Sequence, residues 1–167
     1  MVIKPQFTWV GYFSEGLAVA KIGGALYRPY GVVMTKKGEY LGKYIFIGKS
    51  GKTVIDPKAD EIYSFSEGLA RIKIKNKYGF IGENGKVIIR PQYTDAEDFS
   101  EGLSQVDIDG EPYFINKEGK IVFKSLFGYV KDFKSGLAWI QEGDYSDNTA
   151  KYGYIDKTGR VIWKPTN

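Results

Sequence analysis

The chain has 167 residues, 43% hydrophobic and 16% aromatic, punctuated by 21 glycines, which is a globular rather than a disordered composition. It has neither histidine nor cysteine, which excludes Ser-His-Asp and Cys-His nucleophilic machinery, a disulfide framework and the usual transition-metal ligand sets. The net charge of +4 comes from 24 Lys and Arg interspersed with 20 Asp and Glu, so no nucleic-acid partner is expected, and no apolar run approaches the roughly 18 residues a membrane span needs.

The opening Met1-Val2-Ile3-Lys4-Pro5 lacks the apolar core of a signal peptide; a soluble chain is expected, with its compartment left open. Trp9 follows, then the phrase Phe13-Ser14-Glu15-Gly16-Leu17. Between Gly23 and Gly42 lies an insertion rich in Tyr27, Arg28, Tyr30, Lys36, Lys37 and Tyr40. It reads either as an aromatic and basic surface for a polar partner or as an extra hairpin, Tyr30-Gly31-Val32-Val33 being a displaced copy of a later element. Apolar Val54-Ile55 precedes Pro57, and the phrase returns as Phe65-Ser66-Glu67-Gly68-Leu69.

Past that Leu, Ala70, Ile72 and Ile74 alternate with Arg71, Lys73 and Lys75, the period-two pattern of a half-buried strand. Tyr78-Gly79-Phe80-Ile81 forms a second strand, Asn84-Gly85 a turn that needs positive φ, and Val87-Ile88-Ile89 a third strand ending at Pro91. From Tyr93 to Phe99 the apolar residues are spaced by three, which predicts a short helical turn or ordered loop. The third phrase is Phe99-Ser100-Glu101-Gly102-Leu103. Its strand carries Ser104, Val106 and Ile108 on one face, and Asp109-Gly110 supplies a primed hairpin turn into Tyr113-Phe114-Ile115. A weakened fourth phrase, Phe133-Lys134-Ser135-Gly136-Leu137, is followed by Trp139, six extra residues within Gln141 to Ala150, Lys151-Tyr152-Gly153-Tyr154-Ile155, and Trp163-Lys164-Pro165.

The spacing Phe65 to Phe99 to Phe133 is 34 residues each time, and Phe13 to Phe65 is 52, or 34 plus an insertion of 18. Such a period marks an array of one supersecondary unit stabilised by its neighbours. The expected fold is all-β, a tandem array of four ~34-residue antiparallel meanders, three-stranded with one connecting turn, at approximately 5–56, 57–90, 91–124 and 125–164 within one repeat domain. An open solenoid-like stack is preferred over a small closed propeller-like ring, because both ends carry the same element and ~34 residues is short for a propeller blade. The chain thus reads as four complete units, and as a candidate piece of a longer array.

The consensus Phe-Ser-Glu-Gly-Leu-Ala, then Lys-aromatic-Gly-aromatic-Ile, then Thr-Gly-Lys-x-Val-Ile-x-Pro resembles the WG repeat family of bacterial proteins over nearly the whole chain. Its clearest instances are Phe65 to Pro91 and Lys151 to Ile162. The Trp-Gly pair appears as Tyr78-Gly79 and Tyr152-Gly153, and as neither around Tyr44 and Tyr113. The resemblance implies a repeat type and transfers no catalytic site.

Glu15, Glu67 and Glu101 occupy one repeat position, so the expected task is accepting backbone hydrogen bonds in the turn rather than serving as paired glycosidase carboxylates. Asp144-Tyr145-Ser146-Asp147-Asn148 has the oxygen-rich spacing of half a calcium loop but lacks its glycine and distal glutamate, and reads as a solvated loop. Gly23-Gly24 opens no phosphate-loop pattern. No enzyme, metal or cofactor is expected. Information about partners sits where copies differ. Trp139 replaces Val19, Arg71 and Gln105, and Trp9 stands where the other units have Glu61, Asp95 and Tyr129. Each is an interface anchor or a cover for an end of the array, and Trp139 alternatively packs under the six-residue insertion. With Tyr27, Arg28, Tyr30 and Tyr145 they make the candidate binding set. The expected function is a non-catalytic module that binds protein or acts as a spacer. The alternatives are a binder of polysaccharide or cell-envelope glycan, suggested by 13 Tyr and 3 Trp, and an accessory domain of a larger enzyme.

Overall fold

A computed structural model describes residues 6–23, 42–127, 129–143 and 149–166. Every regular element among them is a β-strand, and the strands form four antiparallel four-stranded sheets, none closed into a barrel. The first sheet contains β1 (Trp9–Ser14), β2 (Leu17–Gly23), β3 (Gly42–Gly48) and β4 (Thr53–Ile55) in chain order. The second contains β5 (Glu61–Ser66), β6 (Leu69–Ile74), β7 (Lys77–Gly82) and β8 (Val87–Tyr93). The third contains β9 (Asp95–Ala96), β10 (Leu103–Ile108), β11 (Glu111–Asn116) and β12 (Ile121–Lys124), and the fourth β13 (Tyr129–Val130), β14 (Leu137–Glu142), β15 (Lys151–Asp156) and β16 (Val161–Thr166). The chain divides into two compact units, Met1–Pro91 and Gln92–Asn167.

Each meander thus has four strands where three were expected. The additional strand is the segment before each repeated Phe, which is not helical. In the third sheet only Asp95 and Ala96 pair, with Asp107 and Val106, before the backbone leaves the ladder. In the first two sheets a bulge separates Val10 from Phe13 and Ile62 from Phe65. These irregularities shift the inward positions out of a strict period of two, which is why Tyr93, Ala96 and Phe99 lie three apart and are all buried. The last strand of the second sheet also runs on through Pro91 to Tyr93 instead of ending at the proline.

The turns follow from backbone sterics. Asp109 and Gly110 have φ of 55° and 86°, the primed two-residue hairpin geometry that matches strand twist. Lys75-Asn76 makes the equivalent turn with φ of 49° and 62°. Gly51, Gly85, Gly119 and Gly159 all take positive φ, as their neighbours in sequence imply.

Gly79 is required for a different reason. A Cβ there would lie 2.5 Å from the Pro91 nitrogen and 2.6 Å from the Ile89 carbonyl oxygen, so only glycine admits this close approach of β8.

Within the first unit, Val19, Phe46 and Ile55 of the first sheet pack on Ile62, Phe65, Ala70, Ile72 and Ile81 of the second. Within the second unit, Leu103 and Phe114 pack on Phe133, Ala138, Ile140 and Ile155. In both, the repeated Phe meets the aromatic of the preceding sheet's third strand, Phe65 on Phe46 at 4.8 Å and Phe133 on Phe114 at 5.5 Å between ring centroids.

Candidate interaction surface

The Ser-Glu part of the repeated phrase connects neighbouring sheets. Ser14 Oγ donates to the Phe65 carbonyl at 2.6 Å, and the Glu15 carboxylate accepts from the Gly68 amide at 2.9 Å. One period pair later Ser100 Oγ donates to the Phe133 carbonyl at 2.7 Å, while Glu101 accepts from the Ser135 and Gly136 amides at 2.5 and 2.8 Å. In both units the earlier turn therefore holds the later one. The expected role, a carboxylate accepting turn amides, is met, but the amides belong to the following repeat.

This explains an otherwise poor choice of residue. Glu15, Glu67 and Glu101 have φ of 51°, 55° and 49°, a left-handed conformation costing about 1 kcal/mol for such a side chain, where Asn or Gly would fit more easily. Charge-assisted hydrogen bonds to backbone amides offset that strain at Glu15 and Glu101.

With the turns committed to structure, chemical individuality falls on the face that carries Val19, Arg71, Gln105 and Trp139. In the second sheet the Arg71 guanidinium lies over the Tyr63 ring at 4.0 Å and near Tyr78 at 5.8 Å. Tyr63 Oη donates to Glu61 Oε2 at 2.8 Å, and Lys73 Nζ pairs with Glu61 Oε1 at 3.3 Å. Burial and then the hydrogen bond to Glu61 hold the Tyr63 hydroxyl well above the ordinary tyrosine range. Lys73 is raised in turn by Tyr78 and Glu61.

In the fourth sheet the same position is aromatic. Trp139 stacks on Tyr152 at 4.9 Å, meets Tyr129 edge-on at 5.8 Å, and has Lys131 Nζ 5.4 Å from its ring. Its cross-strand partner is Tyr154, itself paired with Trp163; these two are 41% and 63% exposed. Beside Trp139 opens a cleft of about 1050 Å³, whose walls include Tyr129 and Tyr154. Its rim carries Asp95, Glu97, Asp107 and Asp132 against Lys131 and Lys134, an acidic excess in a basic chain.

Of the residues singled out in the sequence, Trp139 is half-buried in this wall, clamped by rings on two sides. Trp9 belongs to β1 of the first unit, 53% exposed, with its ring over Gly11 so closely that a Cβ there would come within 2.9 Å. Tyr27, Arg28, Tyr30 and Tyr145 lie outside the described residues, as does the oxygen-rich stretch from 144 to 148.

Sequence reasoning passed over Tyr129, Tyr154 and the acidic rim. A signal for Tyr154 was present, since it replaces Phe46, Phe80 and Phe114 in a column where those rings are fully buried. Tyr in place of Phe marks a ring that keeps a polar end in water. Among the described residues, no helix is long and apolar enough to cross a membrane.

The model of the WG containing repeat matches residues 1–24, 46–78, 78–111 and 114–145. The chain belongs to the WG containing repeat family. No curated protein and no solved structure matches it. The WG repeat, so placed, is out of phase with the sheets: the segment 46–78 begins in β3, contains β4, β5 and β6, and ends in β7. A repeat unit therefore spans the junction between two sheets, including the Phe that crosses it. The segment from Lys151 to Ile162 lies beyond the last match and still completes the fourth sheet.

Proposed function

We propose that this WG repeat chain is a non-catalytic protein-binding module, with its binding surface on the fourth sheet and the adjoining cleft. The observation that carries this reading is the setting of Trp139. Its ring is held by Tyr152 and Tyr129 inside a rim of charged groups, the arrangement of a protein interface in which an aromatic anchor sits within a polar border. A glycan site calls instead for rings lying flat and open, and Tyr152 covers one face of Trp139. The excess of carboxylates on the rim favours a partner segment bearing Lys or Arg next to an apolar side chain.

The test is selection from a random peptide library on the immobilised chain, in parallel with a glycan array, repeated with Trp139→Ala. The expected outcome is peptides enriched in basic and apolar residues whose affinity falls about thirtyfold in the variant, the effect of losing an interface anchor. Retention of sugars with no peptide selected, or peptide binding indifferent to Trp139, overturns the reading.

A further inference from the structure

The repeated Phe is 2% exposed at Phe65, Phe99 and Phe133 but 48% exposed at Phe13. Val10, which matches buried Ile62, is 44% exposed beside it. The first sheet thus presents, uncovered, the side that in the second and fourth sheets receives a preceding neighbour. The fourth sheet presents the opposite side uncovered. Tyr154, matching Phe46 and Phe114, is 41% exposed, and Leu137, matching Leu103, is 37% exposed. We infer that a second copy of this chain is the occupant of both faces: Phe13 of one molecule packs on Tyr154 and Leu137 of the next, head to tail, as Phe65 packs on Phe46 and Phe133 on Phe114 within the molecule.

The inference rests on the reading of the fourth sheet as a protein-binding face. What singles out this partner is continuity with an interface that the molecule already repeats. Repeat faces that no neighbour covers ordinarily need a polar surface to stay unassociated, and both of these expose large apolar side chains. The contact is heterologous, since the two surfaces differ, so each molecule has one head and one tail to offer and association passes from molecule to molecule. It is also incomplete. The fourth phrase reads Phe133-Lys134-Ser135-Gly136, so the Ser and Glu that would hold the Phe13 carbonyl and the Gly16 amide of the next molecule are absent. Association is therefore reversible and dependent on concentration.

Sedimentation equilibrium over a concentration series tests this. The wild-type mass is expected to rise above the 18.8 kDa of one chain with concentration. Phe13→Asp and Tyr154→Asp, each checked for folding by circular dichroism and thermal melting, should stay monomeric alone and form dimers and nothing larger when mixed. The double variant Lys134→Ser/Ser135→Glu, which restores the missing hydrogen bonds, should tighten association about tenfold or more. A wild-type mass that never rises, a single-face variant that still dimerises alone, or a restored variant no tighter than wild type overturns the inference. Peptide selection on Phe13→Asp separates the two claims. Peptides captured through Trp139 without any self-association leave the protein-binding reading standing and remove this one.

Discussion

The second and fourth sheets share one frame and differ in what they mount on it. In both, the repeated Phe is buried on an aromatic from the preceding sheet, and the turn is held by the preceding Glu. On the face that carries Arg71, the second sheet ties its charges to one another: Arg71 covers Tyr63, Tyr63 donates to Glu61, and Glu61 pairs with Lys73. The fourth sheet carries Trp139 in place of Arg71 and Tyr129 in place of Glu61, stacks Trp139 on Tyr152, and leaves Tyr154 and Trp163 open to solvent. Agreement between repeats therefore reports packing, and disagreement on one face reports what each sheet is available to meet.

The shared frame makes the largest prediction. Phe65→Ala and Phe133→Ala should each cost about 3–5 kcal/mol in chemical denaturation, because each leaves a large cavity between two sheets. Costs that differ by more than about 2 kcal/mol would break the equivalence of the two junctions.

The turns come next. Removing a charged acceptor from part-exposed backbone amides should cost about 1.5 kcal/mol, and Glu101→Ala, which frees two amides, should exceed Glu15→Ala, which frees one. Accelerated hydrogen exchange should appear at Gly68 in the Glu15 variant and at Ser135 and Gly136 in the Glu101 variant. Protection unchanged at those amides would remove the proposed coupling of one turn to the next.

The smallest effect concerns the Arg71 face of the second sheet. Burial and Glu61 raise the Tyr63 hydroxyl above its ordinary value of 10.0, favouring its protonated form in the folded chain. The stabilisation this gives is complete below pH 10 and is lost as pH rises through the elevated folded value. Melting temperatures taken from pH 8 upward should therefore fall less steeply on the alkaline side for Tyr63→Phe than for wild type. Parallel curves would show that Glu61 and burial do not act on this hydroxyl.

Much of this frame was legible in the sequence. The period, the all-β class, the primed turn at Asp109-Gly110 and the backbone role of the repeated Glu all follow from local rules of spacing and φ. The first strand of each sheet escaped because bulges before Phe13 and Phe65 and the two-residue pairing of Asp95-Ala96 leave no clean alternation to read. The direction of the Glu contacts escaped because an amide in the next repeat and one in the same repeat leave the same periodic trace. Phe13 could not be told from Phe65, since the two phrases are identical and only neighbours decide which ring is covered. At the candidate surface, Trp139 was found by its departure from its column, while the acidic rim was not, because Asp95, Asp107 and Asp132 come together only through the packing of two sheets.

The glycine of the family's dipeptide goes with a longer final strand, and at Gly79 it admits the close approach of β8. Where it is present, as Gly79 and Gly153, the final strands span seven and six residues; where Ile45 and Tyr113 replace it, they span three and four. A long outermost strand offers its unpaired amides as a template for stray chains to add to. Both long margins contain a proline, Pro91 and Pro165, which has no amide hydrogen to offer. The longer border comes with a proline that interrupts its hydrogen-bonding row against amyloid-like growth.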